Sequence, residues 1–167
     1  MAAQPAVNTK KAAHREQTFN SLDDLQAELD RIREAHERGA LRTTGNWSIG
    51  QILQHLATAW KMGLDGVDFK APLLLRAVCM PLRNRLAHKP TPRGIRLRGK
   101  SKSLEPQAEV AFENGWADLE RTLARVRHGE RLDKPSALFG RMSHEQWMAM
   151  DLNHSAMHLG FVAYDGE

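Results

Sequence analysis

The chain has 167 residues, with 24 lysines and arginines against 20 aspartates and glutamates, eight histidines and one cysteine, Cys79. This length fits one domain, and a hydrophobic content of 41% with 26% charged residues is typical of a globular chain rather than a disordered one. A single cysteine excludes an intramolecular disulfide, and no apolar run reaches the ~18 residues that a membrane span needs. We therefore expect a cytoplasmic protein in which any metal site is built from histidines and carboxylates.

The N-terminal region divides into a leader and the first helix. Residues 1–18 are small and polar, so we expect a flexible leader there and a single domain over 19–165. Ser21 and Asp24 form an S-x-x-D pattern, which is typical of a capping box at the start of a helix. Apolar residues then recur every three or four positions until Gly39, which suits a C-terminal cap. These signals predict a helix between Ser21 and Gly39.

A second amphipathic helix follows a short turn. Residues 43–47 include a Gly-Asn pair, and Ser48 can cap a helix that extends to about Gly66. Pro72 can open a further helical segment, because a proline in the first turn lacks only an amide proton that the helix does not use. Pro81 should end or kink that segment.

The next part of the chain is strongly basic. From Lys70 to Lys102 there are ten basic residues and no acidic one, which leaves 14 basic against 20 acidic residues elsewhere. Such a block can attract nucleic acid, an anionic membrane surface or an anionic substrate. It contains no aromatic residues for base stacking, so we expect a solvated basic segment and no nucleic-acid partner. Residues 88–103, rich in Pro, Gly and Arg, are predicted to form a long connection.

Association with a membrane surface is a separate possibility for this region. Residues 71–86 combine leucines with arginines, as interfacial helices do. Leucines 73–75 are consecutive, however, which makes a poor one-sided stripe. The sequence therefore favours a buried segment here and no membrane partner.

Two more long helices complete the predicted domain. The apolar periodicity predicts a third helix over 104–127, and 133–140 is expected to be a loop. Ser143 and Gln146 form a second capping box, and a fourth helix should extend to about Ala163. No segment alternates with period two. Four long amphipathic helices with one long crossover connection predict an all-α four-helix bundle.

Histidines on the second and fourth helices form a candidate metal site. His154 and His158 are four residues apart on the apolar face, so both imidazoles can reach one ion, and Asp151 lies on the same side. His55 on the second helix is the best candidate for a third ligand. A pair of core histidines satisfied by hydrogen bonds is the alternative reading of the same spacing.

Three histidine ligands would leave coordination positions open, as in catalytic rather than structural zinc sites. Such an ion can lower the pKa of bound water or of a bound thiol, and zinc, nickel or iron would accept imidazoles. Asp151 could then act as a base or orient a ligand. Aromatic residues near these helices either line an apolar substrate pocket or belong to the core: Trp47, Trp60, Trp147 and Phe161.

Several segments together resemble one known family. They are GNWSIGQILQHL at 45–56, the FGRMS stretch with its following tryptophan at 139–147, and HSAMHL at 154–159. The chain is similar over 16–164 to the DinB/YfiT-like superfamily of candidate metalloenzymes, and more narrowly to family 1569 of the bacterial domains of unknown function. The stretches 90–95 and 104–106 fit that family as well.

This resemblance implies an up-down-down-up four-helix bundle that is often dimeric and binds a divalent metal through three histidines. By position the ligands are His55, His154 and His158. Relatives in the wider superfamily include thiol-dependent S-transferases and isomerases, so a low-molecular-weight thiol is a candidate co-substrate. A substrate would be a small molecule, and an anionic one if the basic segment folds over the site.

Two classes of function stay open on these grounds. One is a metal-dependent enzyme, a thiol-using transferase or a hydrolase, that activates water or a small thiol. The other is a non-catalytic, metal-stabilised bundle that serves as a binding or oligomerisation module. The number of protein ligands distinguishes them, because a closed site with four fits a structural ion.

Overall fold

The computed structural model describes residues 6–95 and 97–164, so the first five residues of the expected leader and the expected domain end at 165 lie outside it. The described chain is mostly helical with one small sheet. In chain order its elements are α1 (Leu22–Glu37), β1 (Leu41–Thr43), α2 (Ile49–Leu64), α3 (Leu73–Cys79), α4 (Arg83–Ala87), a 3₁₀ helix (Gly99–Leu104), α5 (Phe112–Arg127), α6 (His144–Leu159) and β2 (Val162–Tyr164). None of the helices in these two ranges is long and apolar enough to cross a bilayer.

Three of the long helices begin at the serines that the sequence singled out. The hydroxyls of Ser21, Ser48 and Ser143 each accept a hydrogen bond from the backbone amide three residues later, and the side chain there bonds back to the serine amide. These capping boxes satisfy amide donors that the helix cannot use, and each cap contributes about 1 kcal/mol. The predicted starts of α1, α2 and α6 are confirmed.

The core lies between the four 16-residue helices α1, α2, α5 and α6. Side chains from all four belong to one hydrophobic cluster. The largest fully buried members are Trp60, Trp147, Leu25, Leu29, Ile32, Ile52, Leu53, Leu56, Leu119, Leu123, Leu132 and Leu159.

Helix α2 packs very closely against α5 and the chain leading into it. A Cβ atom at Gly50 would overlap the carbonyl oxygen of Val110, and one at Gly115 would overlap the carbonyl oxygen of Gly50. Because both positions lack a Cβ, the two backbones can approach at a distance that no other residue would allow.

The third long helix begins later than predicted, at Phe112 instead of Leu104. Pro106 disfavours the helical conformation in the residue before it, and the chain between the 3₁₀ helix and α5 is extended. Side chains of Gln51 and Gln54 hydrogen-bond the backbone of this stretch and so replace the helical hydrogen bonds.

The last helix ends at Leu159, four residues before the predicted end, and a strand follows it. This strand, β2, pairs antiparallel with β1, with Leu41 opposite Tyr164 and Thr43 opposite Val162. The sequence predicted no strand. Segments of three residues are too short to show an alternation of period two, so the pairing is decided by tertiary contacts.

Residues 6–18, within the predicted leader, form hydrogen bonds with other parts of the described chain at several points. The backbone amide of Arg15 donates to the carbonyl of Gly160 at 2.8 Å, and its guanidinium contacts the buried Glu28 carboxylate. Phe19, just beyond, is buried in the core. The pairing of Arg15 with Glu28 holds a polar segment that has few apolar residues of its own.

The consecutive leucines of α3 are exposed, so the prediction of a buried segment over 71–86 is wrong for them. Pro72 precedes the helix and the helix ends before Pro81, as predicted. The segment is held at its ends: the amide of Ala71 donates to the carbonyl of Ala137, and Met80 packs against Gly140. The short helix therefore has one face on the protein and presents the other to solvent.

Replacing Gly115 by Ala tests the close approach of α2 and α5. An alanine in mid-helix would ordinarily stabilise by about 0.5–1 kcal/mol over glycine, whereas overpacking here should cost about 1–3 kcal/mol. We expect a lower free energy of unfolding in urea denaturation. The exposed neighbour Asn114→Ala should change it by no more than about 0.5 kcal/mol. A stabilised Gly115→Ala variant would contradict the packing.

Candidate metal centre

Helix α6 supplies two histidines on one face. His154 and His158 lie one turn apart, and their Nε2 atoms are 3.0 Å from each other. The pair faces α2 across the interior, beside apolar side chains that belong to the core. Both Nε2 atoms therefore point to the same place rather than to separate partners.

The third histidine comes from α2. The Nδ1 atom of His55 lies 2.7 Å from the carbonyl oxygen of Leu104, at the end of the 3₁₀ helix. A carbonyl only accepts, so the His55 proton is on Nδ1 and its Nε2 carries a lone pair. That Nε2 is 3.4 Å from Nε2 of His154. A backbone carbonyl that fixes the tautomer in this way is the usual partner of a metal-binding imidazole.

The three side chains match the dimensions of a single ion. Their ligand atoms all lie within 4.8 Å of one another. Tetrahedral coordination with Zn–N bonds of about 2.0–2.1 Å would separate the nitrogens by roughly 3.3 Å, which is close to the two separations given above. The donor set of His55, His154 and His158 could therefore hold a divalent metal.

Burial keeps these imidazoles neutral. Desolvation lowers the pKa of His55, brings the pKa of His154 to about 3 and, together with the nearby histidines, lowers the pKa of His158 well below its usual value. Neutral imidazoles are the form that binds metals. A proton on His154 Nε2 can serve only one of its two neighbours well, so hydrogen bonds within the trio do not satisfy every lone pair.

Three of the four aromatic residues predicted for the pocket contact the histidines or border the cleft beside them. Trp47 stacks on His158 with ring centroids 5.2 Å apart and also contacts His55. Trp147 and Phe161 border the same cleft. Trp60, the fourth predicted pocket residue, is fully buried and donates its indole N–H to Ser155 instead.

Asp151 borders this cleft but is not one of the three grouped ligands. It is 2% exposed, and its Oδ2 has no hydrogen-bond partner among the residues that the structure describes. Burial raises the pKa of this carboxyl well above its ordinary value. Asp151 is therefore a buried carboxyl group with an oxygen that no described residue satisfies, beside the same cleft as the histidines.

A cleft of about 1670 Å³ opens beside the histidines. Besides the aromatic residues, four basic side chains border it: Lys10, Lys89, Arg98 and Lys102. Sequence reasoning missed Lys10 and the Leu104 carbonyl. A backbone acceptor carries no signal in the sequence, and Lys10 reaches the cleft only because the N-terminal segment is packed.

The fold and the site define a helical protein with a partly buried three-histidine centre beside a cleft. A family comparison matches residues 11–165 to the family described as "Protein of unknown function (DUF1569)". The match covers nearly all of the chain, including the three histidines, and the chain belongs to this family. No curated protein and no solved structure matched the sequence.

Substituting His154 or His158 by Ala should remove stoichiometric zinc binding and leave most of the helicity, because core packing supplies most of the stability. We expect affinity to fall by at least about 100-fold, since even the outer partners of metal ligands commonly contribute 10–100-fold. Competition with a chromophoric chelator measures the affinity, and far-UV circular dichroism measures the helicity. The exposed His128→Ala is the matched control. A full equivalent of zinc in the double variant would refute the assignment.

The lowered histidine pKa values predict how metal-free protein responds to acid. Below about pH 6.5, histidines in the unfolded chain bind protons that the same histidines in the folded chain do not bind. The free energy of unfolding therefore falls as the pH drops from 7 to 5. Each such proton contributes about 1.4 kcal/mol per pH unit. Urea denaturation with a chelator present should show a shallower pH dependence for His154→Gln than for the wild type. Parallel curves would contradict the buried, neutral state.

Proposed function

We propose that this chain binds one divalent metal ion through Nε2 of His55, His154 and His158 and is a metal-dependent enzyme. One observation carries the proposal: the convergent group contains three ligands and, within residues 6–95 and 97–164, no fourth. Three protein ligands beside an open cleft are typical of catalytic sites, whereas structural zinc sites are closed by four.

The chemistry is the activation of water or a small thiol, because a bound divalent ion makes either a stronger nucleophile near neutral pH. The chain's own contribution is orientation. The Leu104 carbonyl holds the His55 ring in one tautomer, and Trp47 covers two of the three imidazoles. Both contacts favour a fixed arrangement of the donor atoms.

Asp151 is proposed as the proton donor or the positioning group of the site. Its unpartnered Oδ2 and its buried location beside the same cleft support this role. With its raised pKa, the carboxyl can give a proton to a leaving group. In its ionised form the same carboxylate could act as a base toward water or a thiol.

The substrate is proposed to be a small anionic molecule with an apolar part. Lys89, Arg98 and Lys102 border the cleft and favour a carboxylate or phosphate, including an acidic thiol as co-substrate. Trp47 and Phe161 also border the cleft and could contact the apolar part of the substrate. Thiol transfer and hydrolysis both fit these features.

The finer description of the fold belongs to the same proposal. We assign the four long helices to the up-down-down-up bundle of the DinB-like superfamily, as one domain over 19–165 that forms a homodimer. The four equal helix lengths and the contacts of α2 with α5 and α6 support the bundle. Zinc is the first choice of metal, with nickel or iron next, because imidazole donors suit all three.

Metal analysis of untagged protein purified without chelators tests the first half of this proposal. We expect about one equivalent of zinc, nickel or iron in the wild type and its loss in His55→Ala. Cobalt-loaded protein tests the second half, because a thiolate that binds the ion produces a charge-transfer absorption band. Titration with glutathione should produce the band in the wild type.

Two outcomes would redirect the assignment. Wild-type protein that takes up none of the ions after incubation would mean that the histidines are hydrogen-bonded core residues, and a binding module would then be the better description. A tightly bound ion whose cobalt spectrum is insensitive to thiols, together with no turnover of thiol-transfer or hydrolysis substrates, would favour a metal-stabilised, non-catalytic bundle.

A further inference from the structure

Exposed apolar side chains are concentrated in one part of the described chain. The described chain has seven exposed large hydrophobic residues, and six of them lie between residues 73 and 95; the seventh is Val7. Leu73 and Leu74, at 79% and 82%, are the most exposed. A monomeric surface rarely presents apolar residues in such a group without a partner. The members are Leu73, Leu74, Leu75, Val78, Leu82 and Ile95; we call them the leucine patch.

The leucine patch lies within the strongly basic stretch of the chain between Lys70 and Lys102. Nine of the ten basic residues between Lys70 and Lys102 lie in the described chain, and none of the nine forms an ion pair with another described residue. Elsewhere the bases are commonly paired, as Lys61 is with Asp118 and Arg125 is with Asp65. This stretch thus combines exposed apolar groups with positive charge that has no ion-pair partner among the described residues.

The exposure of the leucines follows from how the segment is anchored. The backbone of Ala71 bonds to that of Ala137, and Ala87 is completely buried with its carbonyl accepting from the Asn153 amide on α6. Between these anchors the chain must turn at Pro81. These contacts hold the two ends of the segment, while leucines 73–75 between them are exposed.

We propose that the leucine patch and its basic surroundings form a docking surface for an anionic lipid bilayer. Leucines can enter the boundary between headgroups and acyl chains, and each lysine or arginine near an anionic surface adds attraction. This reverses the expectation from sequence, which rested on burial of residues 73–75. The proposal is independent of the metal and of any reaction at the histidine site.

Charge argues against two other occupants. A second copy docked through the same face by two-fold symmetry would place two segments of ten bases, with no acid, against each other. The phosphates of a nucleic acid would be attracted to the basic side chains, but the exposed leucines would have no role in such binding. The segment also lacks the aromatic residues on which bases stack. An anionic bilayer matches both the apolar and the basic groups.

Co-sedimentation of the full chain with vesicles tests the proposal. The probes are vesicles of phosphatidylcholine alone and of phosphatidylcholine mixed with phosphatidylglycerol, each at low and high salt. We expect binding to the anionic vesicles at low salt, weaker binding at high salt, and little binding to the neutral vesicles. Because wild-type protein is used, this arm does not depend on any variant.

Two double variants separate the apolar contribution to vesicle binding from the contribution of charge. Leu73→Ser with Leu74→Ser should weaken binding by at least about tenfold, and both positions are exposed enough to keep the fold. Lys70→Gln with Arg85→Gln should weaken it by about fivefold for each base. The matched control is Arg121→Gln with Arg131→Gln, which removes the same charge from exposed positions far along the chain and should leave binding unchanged.

Several outcomes would overturn the proposal. Wild-type protein that stays in the supernatant with anionic vesicles at low salt would do so. The proposal would also be overturned if the control double variant lost as much vesicle binding as the basic double variant, or if the leucine double variant bound as well as the wild type. Sedimentation velocity showing a dimer that the leucine variant dissociates, without vesicle binding, would assign the patch to a second copy. Preferential, leucine-independent binding of a DNA duplex would assign it to nucleic acid.

Discussion

The geometry of the histidine site depends on how closely the chain can approach α2 at Gly50. The absence of a Cβ there admits the carbonyl of Val110, and the reciprocal glycine, Gly115, admits α2 against α5. With the chain so close, the extended stretch before α5 lies along α2, where Gln51 and Gln54 bond its backbone. The 3₁₀ helix that precedes this stretch places the Leu104 carbonyl at the His55 ring. The tautomer of His55 is thus a consequence of helix packing.

Removing the polar groups of the site from water lowers the stability of the folded chain. Three imidazoles are held neutral in the interior, and the nearby Asp151 carboxyl is buried with an unused oxygen. Buried polar groups without partners are destabilising, so the unpartnered oxygen of Asp151 lowers the stability of the fold unless a ligand or an ion satisfies it. The surrounding core of aliphatic and aromatic side chains offsets this cost and keeps the donors in place. Stability and site chemistry are therefore opposed at the same residues.

The basic segment connects the site with the outer surface. Lys89, Arg98 and Lys102 border the cleft, while the leucine patch faces solvent from the same stretch of chain. One segment therefore provides a wall of the cleft and the docking surface proposed for a bilayer.

The sequence by itself determined where three of the four long helices begin and which two histidines share a face of α6. Capping serines and apolar periodicity are local signals, and they predicted the starts of α1, α2 and α6. The four-residue spacing of His154 and His158 placed both on one face of α6 without any knowledge of the fold, because the helical repeat alone sets that direction. His55 could be named because few histidines lie within a strongly periodic apolar segment.

Only the tertiary structure decided what those signals leave open. The distance between His55 and α6, the Leu104 carbonyl and the separation of Trp60 from the cleft all depend on helices distant in sequence. The short sheet, the packed N-terminal segment and the exposed leucines likewise follow from contacts between remote residues: Thr43 with Val162, Arg15 with Glu28, and Ala71 with Ala137. Local patterns specify which face of a helix is apolar. What covers that face is fixed only when the whole chain is packed.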